Sequence, residues 1–129
     1  MFEPLSSKVE YFAGRIVDSA FKVHSTLGPG MMESVYETCL CHELRKQNLA
    51  LQRQVYLPVV YDNIRLEQSY RLDLIVEDCI ICELKAVELI APTHHAQLLS
   101  YLRLTGKRLG LLINFNVPRI KDGIKRIIL

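Results

Sequence analysis

Three charged side chains, Asp73, Glu83 and Lys85, interrupt two apolar runs, Tyr70-Arg71-Leu72-Asp73-Leu74-Ile75-Val76 and Ile80-Ile81-Cys82-Glu83-Leu84-Lys85-Ala86. Both runs read as buried strands joined by a short polar turn. Charges in such surroundings are costly unless they are paired or bind a metal. Side chains alternate across a strand, so Glu83 and Lys85 share a face. If the hairpin closes through Glu77-Asp78-Cys79, Val76 pairs with Ile80 and Asp73 faces Glu83. A two-residue turn would instead carry Asp73 to the other face. An Asp, a Glu and a Lys converging on one sheet face suit metal-dependent phosphodiester chemistry. The plainer alternative is an ion-paired, solvated strand face.

The chain that must position these groups has 129 residues, enough for one domain, residues 1–129, with its own core. Half of it is hydrophobic and 23% is charged, the composition of an ordinary globular protein. A net charge of +2, spread along the chain, permits nucleic-acid binding without arguing for it. No run is long enough to span a membrane, and Glu3 and Pro4 are unlike the start of a signal peptide. The expectation is a cytoplasmic protein. The four cysteines, as Cys39-x-Cys41 and Cys79-x-x-Cys82, are expected to be free thiols rather than a zinc site or disulfides. The first pair lies in a helical stretch, where residues two apart point in different directions.

Helical spacing of Val9, Phe12, Ala13, Ile16, Ala20, Val23 and Leu27 predicts an amphipathic helix over about 8–26, opened by a Ser7/Glu10 capping box. His24 beside this stripe is expected to be a packed boundary residue rather than a ligand. Gly28-Pro29-Gly30 then breaks the chain before a second helix over about 31–47, with Asn48 as its stop. The glycines suggest a phosphate cradle only weakly, because no strand precedes them. Tyr36, Leu40 and Leu44 form the inner stripe of the second helix, and Glu33 extends it one turn toward the N-terminus. Glu33 has two readings: an acid favoured by the helix dipole, or a residue facing a cleft.

Val55, Leu57, Val59 and Tyr61 alternate along a strand that Pro58 assigns to an edge or bulge. Asp62-Asn63 predicts a tight turn, with a short return through Ile64 and Leu66 before the charged hairpin. Thr93 is expected to cap a helix over about 94–105, ended by Gly106, with Gln97 and Tyr101 on one face and Leu98, Leu99 and Leu102 toward the sheet. Leu109 to Phe115 completes a βαβ unit with parallel strands. Asn114, Asn116 and Pro118 mark an exit loop, and the Ile-rich tail is either a short helix or a last strand. The outcome is an α/β fold in α-α-β-β-β-α-β order, a mixed sheet flanked by helices.

Several of these stretches together resemble a known family. Gly30-Met31-Met32-Glu33-Ser34-Val35-Tyr36 fits the signature of the GxxExxY proteins. The similarity continues through Tyr70-Arg71-Leu72-Asp73, Cys82-Glu83-Leu84-Lys85-Ala86, Ala96-Gln97-Leu98-Leu99-Ser100-Tyr101-Leu102 and Leu111-Leu112-Ile113-Asn114-Phe115. These proteins look like a compact branch of the PD-(D/E)XK nuclease superfamily, with a restriction-endonuclease-like core. The resemblance implies that Asp73 is the metal-binding acid, Glu83 and Lys85 the acidic-x-Lys element, Glu33 the acid on the preceding helix, and Gln97 a supporting polar residue. Leu72 stands where the superfamily's name places Pro, a departure that leaves the metal chemistry untouched.

The resulting expectation is a Mg²⁺- or Mn²⁺-dependent nuclease hydrolysing phosphodiester bonds, with nucleic acid as partner, DNA in preference to RNA. Asp73 and Glu83 would hold the ion, Lys85 would serve the attacking water and the phosphate, Glu33 would take a second ion or a water, and Gln97 would orient that water. A homodimer would lengthen the groove. A non-catalytic nucleic-acid- or protein-binding module with the same fold is the alternative. A metal-dependent enzyme acting on a smaller phosphorylated substrate is a third.

Overall fold

A computed structural model describes residues 3–129 of the chain. Residues 3–6, ahead of the first helix, are irregular. Two helices come first, α1 (Ser7–Leu27) and α2 (Glu33–Lys46). The strands β1 (Leu51–Tyr61), β2 (Ile64–Val76) and β3 (Ile80–Lys85) follow, then α3 (Pro92–Thr105) and β4 (Leu109–Asn114). A 3₁₀ turn (Ile120–Gly123) leads into β5 (Ile124–Ile128). The tail is therefore both a helical turn and a strand. The sheet has five strands in the order β1-β2-β3-β4-β5, parallel only between β3 and β4. This is the α/β, restriction-endonuclease-like architecture expected above, extended by one strand. No helix among the described residues is long and apolar enough to cross a membrane.

Two apolar layers hold the sheet. Phe12, Ile16, Ala20 and Val23 of α1 and Tyr36, Leu40 and Leu44 of α2 pack on Leu74, Val76, Ile80, Cys82, Leu84, Leu111 and Ile113. On the opposite face, Leu98, Tyr101 and Leu102 of α3 pack on Leu72, Ile75, Ile81, Leu112 and Ile127. β3 and β4 are covered on both sides, which is why their sequences are nearly continuous apolar runs. His24 is buried and its Nε2 lies 2.8 Å from the Val117 carbonyl, a packed histidine as expected. All four cysteines are free thiols.

The charged hairpin closes through the three-residue turn. Val76 pairs with Ile80, Ile75 with Ile81 and Leu74 with Cys82. Glu77 and Asp78 take the left-handed conformation that the turn requires, with φ of 51° and 53°. The Asp62-Asn63 turn also forms, joining Tyr61 to Ile64, and the β1–β2 register shifts between Leu57 and Val59 around Pro58.

Several local expectations need correction. Ser6, not Ser7, caps α1, its hydroxyl accepting the Val9 N–H at 3.2 Å. α2 starts at Glu33, and that side chain is exposed instead of continuing the buried stripe. The helix has not yet turned Glu33 under the sheet, so the first residue of the stripe to be covered is Tyr36. The return strand and the first charged strand are one element, because β1 runs alongside it from Leu51↔Val76 to Tyr61↔Ile64. α3 begins at Pro92 after Ala91. Ala91, not Thr93, stands at the N-cap, and the His94 Nδ1 accepts its N–H at 3.0 Å. Proline at the first turn explains the shift, since it has no N–H to satisfy there. Asn114 ends β4 rather than marking a loop. It is buried, and its amide bonds both backbone groups of Val87, Oδ1 accepting the N–H at 3.1 Å and Nδ2 donating to the carbonyl at 2.8 Å. That clamp fixes the chain just beyond Lys85.

Candidate acidic site at the break between β2 and β3

The β2–β3 ladder stops after Leu74↔Cys82, and the next two residues in register are Asp73 and Glu83. Their side chains take over where backbone pairing ends. The Asp73 N–H donates to Glu83 Oε1 at 3.0 Å, and the Leu84 N–H donates to Asp73 Oδ2 at 2.8 Å. Each carboxyl is thus anchored by a backbone donor of the opposite strand and keeps a second oxygen. The strand alternation also slips here. Leu72 and Ile75, three apart, pack on the α3 side, whereas Leu74 and Val76 pack on the α1–α2 side. An odd separation between residues on one face marks an irregular residue between them.

The electrostatics of the pair are strained. Burial, and then the neighbouring Asp73 carboxylate, push Glu83 up to about 8. Burial also raises Asp73 above the ordinary carboxylate range, and the Leu84 N–H works in the opposite direction. Two acids side by side disfavour each other's ionisation, so the pair keeps a proton at neutral pH. Lys85, half-buried, lowers both through its charge. Its ammonium closes no hydrogen bond or ion pair among the described residues.

Glu33 sits at the rim, at the N-terminal end of α2. Partial burial raises its carboxyl, while the charge of Lys85 and the Ala86 N–H pull it down. Those neighbours connect it to the end of β3, 50 residues away in sequence from Glu83. Gln97 is half-buried on α3 and makes no hydrogen bond among the described residues. One turn along, Tyr101 is buried and is pushed up to about 12, first by burial and then by Glu83 and Asp73. Its ring meets Tyr70 edge-on, with centroids 5.6 Å apart. Asp73, Glu83, Lys85 and Glu33 therefore share one electrostatic neighbourhood, and Gln97 lies on a helix that borders it.

Glu37 was not singled out by sequence, yet it is the buried acid of α2. Its Oε2 accepts from Arg53 Nε and Nη2 at 3.1 and 2.9 Å, and its Oε1 accepts from Gln54 Nε2 at 2.6 Å. The only sequence signal was its place one position past the Tyr36 stripe. Tyr36 itself is a packing residue, stacked on Phe115 at 4.5 Å, and its hydroxyl donates to the Gly28 carbonyl at 2.6 Å.

Among the described residues, no group of three or more His, Cys, Asp or Glu side chains is arranged as a ready-made metal shell. The Asp73–Glu83 pair nevertheless suits a hard dication. Mg²⁺ and Mn²⁺ bind through one or two carboxylates and complete their shell with water and phosphate. A dication would also relieve the mutual repulsion that holds Glu83 high.

A sequence model of the PD-(D/E)XK nuclease superfamily matches residues 10–127. No curated protein and no solved structure matches the chain.

Proposed function

The chain belongs to the PD-(D/E)XK nuclease superfamily, and on that footing we propose that it is a Mg²⁺- or Mn²⁺-dependent nuclease hydrolysing phosphodiester bonds of nucleic acid, DNA before RNA. The observation that carries this reading is the reciprocal anchoring of Asp73 and Glu83 beside Lys85 where the β2–β3 ladder opens. A solvated ion-paired strand face needs no such arrangement. Complementary surface features support it: Arg71 is exposed two residues before Asp73, with the exposed Tyr56 opposite it on β1.

Asp73 and Glu83 would hold the cation through the oxygens not committed to backbone donors. Bound there, the ion would supply charge for the phosphate oxygens and lower the pKa of water. Lys85 has its ammonium free of direct pairs among the described residues. It would orient the attacking water and offset negative charge growing on the phosphate. Glu33, at the rim, would take a second ion or orient a water. Gln97 would support that water from α3. Tyr101 stays protonated at physiological pH and keeps an O–H that can donate.

The Gly30-to-Tyr36 stretch supports placing the chain within the GxxExxY family. Homodimerisation is part of the same proposal, because exposed Val60, Tyr61 and Ile64 at the β1–β2 tip offer a second copy an apolar surface to bury.

The test is cleavage of single- and double-stranded DNA and RNA with Mg²⁺, Mn²⁺ or chelator, alongside Glu83→Ala and Lys85→Ala. Metal-dependent cleavage abolished in both variants is expected. Cleavage that survives in both would overturn the assignment, and nucleic-acid binding without any cleavage would favour the non-catalytic module.

A further inference from the structure

The break at Asp73 has a counterpart on the other neighbour of β2. The β1–β2 register runs Arg53↔Leu74 and Val55↔Leu72, so Gln54 lies opposite Asp73, and the pairing skips this position. Gln54 has a φ of 53°. A non-glycine residue in that conformation is disfavoured by about 1–2 kcal/mol. The face alternation slips in β1 as it does in β2. Leu51 packs on the α1–α2 side and Val55, four residues on, packs on the α3 side. The two strands are therefore kinked together at Gln54 and Asp73.

What pins the kink is Glu37. It is 7% exposed, and a carboxylate at that depth is costly without partners. Its partners are three N–H groups on the two adjacent residues Arg53 and Gln54, at 2.6–3.1 Å. Arg53 Nη2 also reaches Thr38 Oγ1 at 3.3 Å. Gln54 is bound on one side only, its Oε1 being buried without a hydrogen-bond partner among the described residues. An apolar residue at position 37 would continue the inner face of α2 with no such arrangement. Strain and buried polarity concentrated on the residue facing Asp73 are features that persist where the surrounding structure needs that geometry. The charge of Glu37 also raises the Asp73 and Glu33 carboxyls.

We propose that Glu37 is a positioning residue of the acidic site. By holding Arg53 and Gln54 it maintains the joint kink of β1 and β2. That kink presents the Asp73 carboxyl to the Leu84 N–H and to Glu83, and so sets how tightly the pair binds a divalent cation. The cation clause rests on the nuclease reading above; the positioning clause does not.

The experiment uses the full chain with Glu37→Gln and Gln54→Ala. Gln54→Ala keeps the charge of Glu37 and removes the amide it holds, leaving the left-handed backbone of residue 54 without that anchor. Two quantities are read: hydrogen exchange of the Leu84 amide without metal, and Mn²⁺ affinity by calorimetry. Both variants are expected to speed Leu84 exchange about tenfold relative to the Val76 amide. Both should weaken Mn²⁺ binding about tenfold, the usual effect of disturbing a group behind a metal ligand. Unchanged Leu84 exchange in both variants, whatever happens to melting temperature, would overturn the positioning role. Weaker Mn²⁺ binding in Glu37→Gln alone would overturn it too, since only the field of the charge would then matter. A parent chain that binds no Mn²⁺ would remove the metal reading, and Leu84 exchange alone would still decide the positioning.

Discussion

The backbone N–H of Asp73 donates to the Glu83 carboxyl at 3.0 Å, so a β-ladder contact is replaced by a side chain where two acids meet. The contact holds Glu83 in place through its backbone partner while Asp73's own charge opposes ionisation of Glu83. Holding and repelling the same group makes the pair responsive to cations and to pH.

Glu83→Gln is expected to keep the hydrogen bond from Asp73 and to lose the repulsion. The variant should be more stable than the parent above pH 8 and should lose metal-supported cleavage by at least about 100-fold. Thermal melts in chelator and single-turnover cleavage with Mg²⁺ check the two halves separately.

The pH dependence has a definite sign. Glu83 is raised from 4.5 to about 8 in the folded chain, and Asp73 is raised as well. A raised acid contributes stability that is full below its unfolded pKa and is lost as pH rises through its folded value. Without metal, stability attributable to the pair should therefore fall between about pH 4.5 and pH 8 by roughly 2 kcal/mol or more, several degrees in Tm. Mn²⁺ should reverse the loss at pH 8.5. A melting temperature that climbs steadily across this window in chelator would contradict the assignment.

Tyr36→Phe removes a hydroxyl that donates to the Gly28 carbonyl and accepts the Met31 N–H at 3.0 Å. The stacking on Phe115 survives. A loss of about 1–2 kcal/mol is expected, read as a lower denaturant midpoint with an unchanged slope. The turn before Glu33 should also become more open to proteolysis.

Gly123→Ala would place its Cβ 2.1 Å from the Asn114 carbonyl oxygen. Backbone cannot yield as a side-chain tip does, so a cost of about 3 kcal/mol is expected. Because Asn114 clamps Val87 beyond Lys85, cleavage should weaken along with stability. Gly14→Ala, in the middle of α1 with open space around its Cβ, is the control: it should leave cleavage unchanged and raise stability by about 0.5–1 kcal/mol, the helix preference of Ala over Gly.

Local chemistry made much of this protein legible in its sequence. Charges inside apolar β-branched runs singled out Asp73, Glu83 and Lys85, and of the two turn lengths left open the three-residue one forms, bringing the first two together. Pro58, Asp62-Asn63 and Gly106 fixed a bulge, a turn and a helix end, because each limits backbone angles regardless of distant contacts. Tertiary structure alone decided three other matters. Glu37 became the buried acid because Arg53 and Gln54, 16 and 17 residues away, fold back over α2. Gln54 was pushed into a left-handed conformation that no local preference of glutamine predicts. The slip that turns Asp73 out of the alternation needs two strands kinked together, and period-two patterning along one strand cannot register it. The types of the acidic residues are written in the chain; how far each carboxyl is buried, and which N–H groups hold it, depends on strands meeting across the sheet.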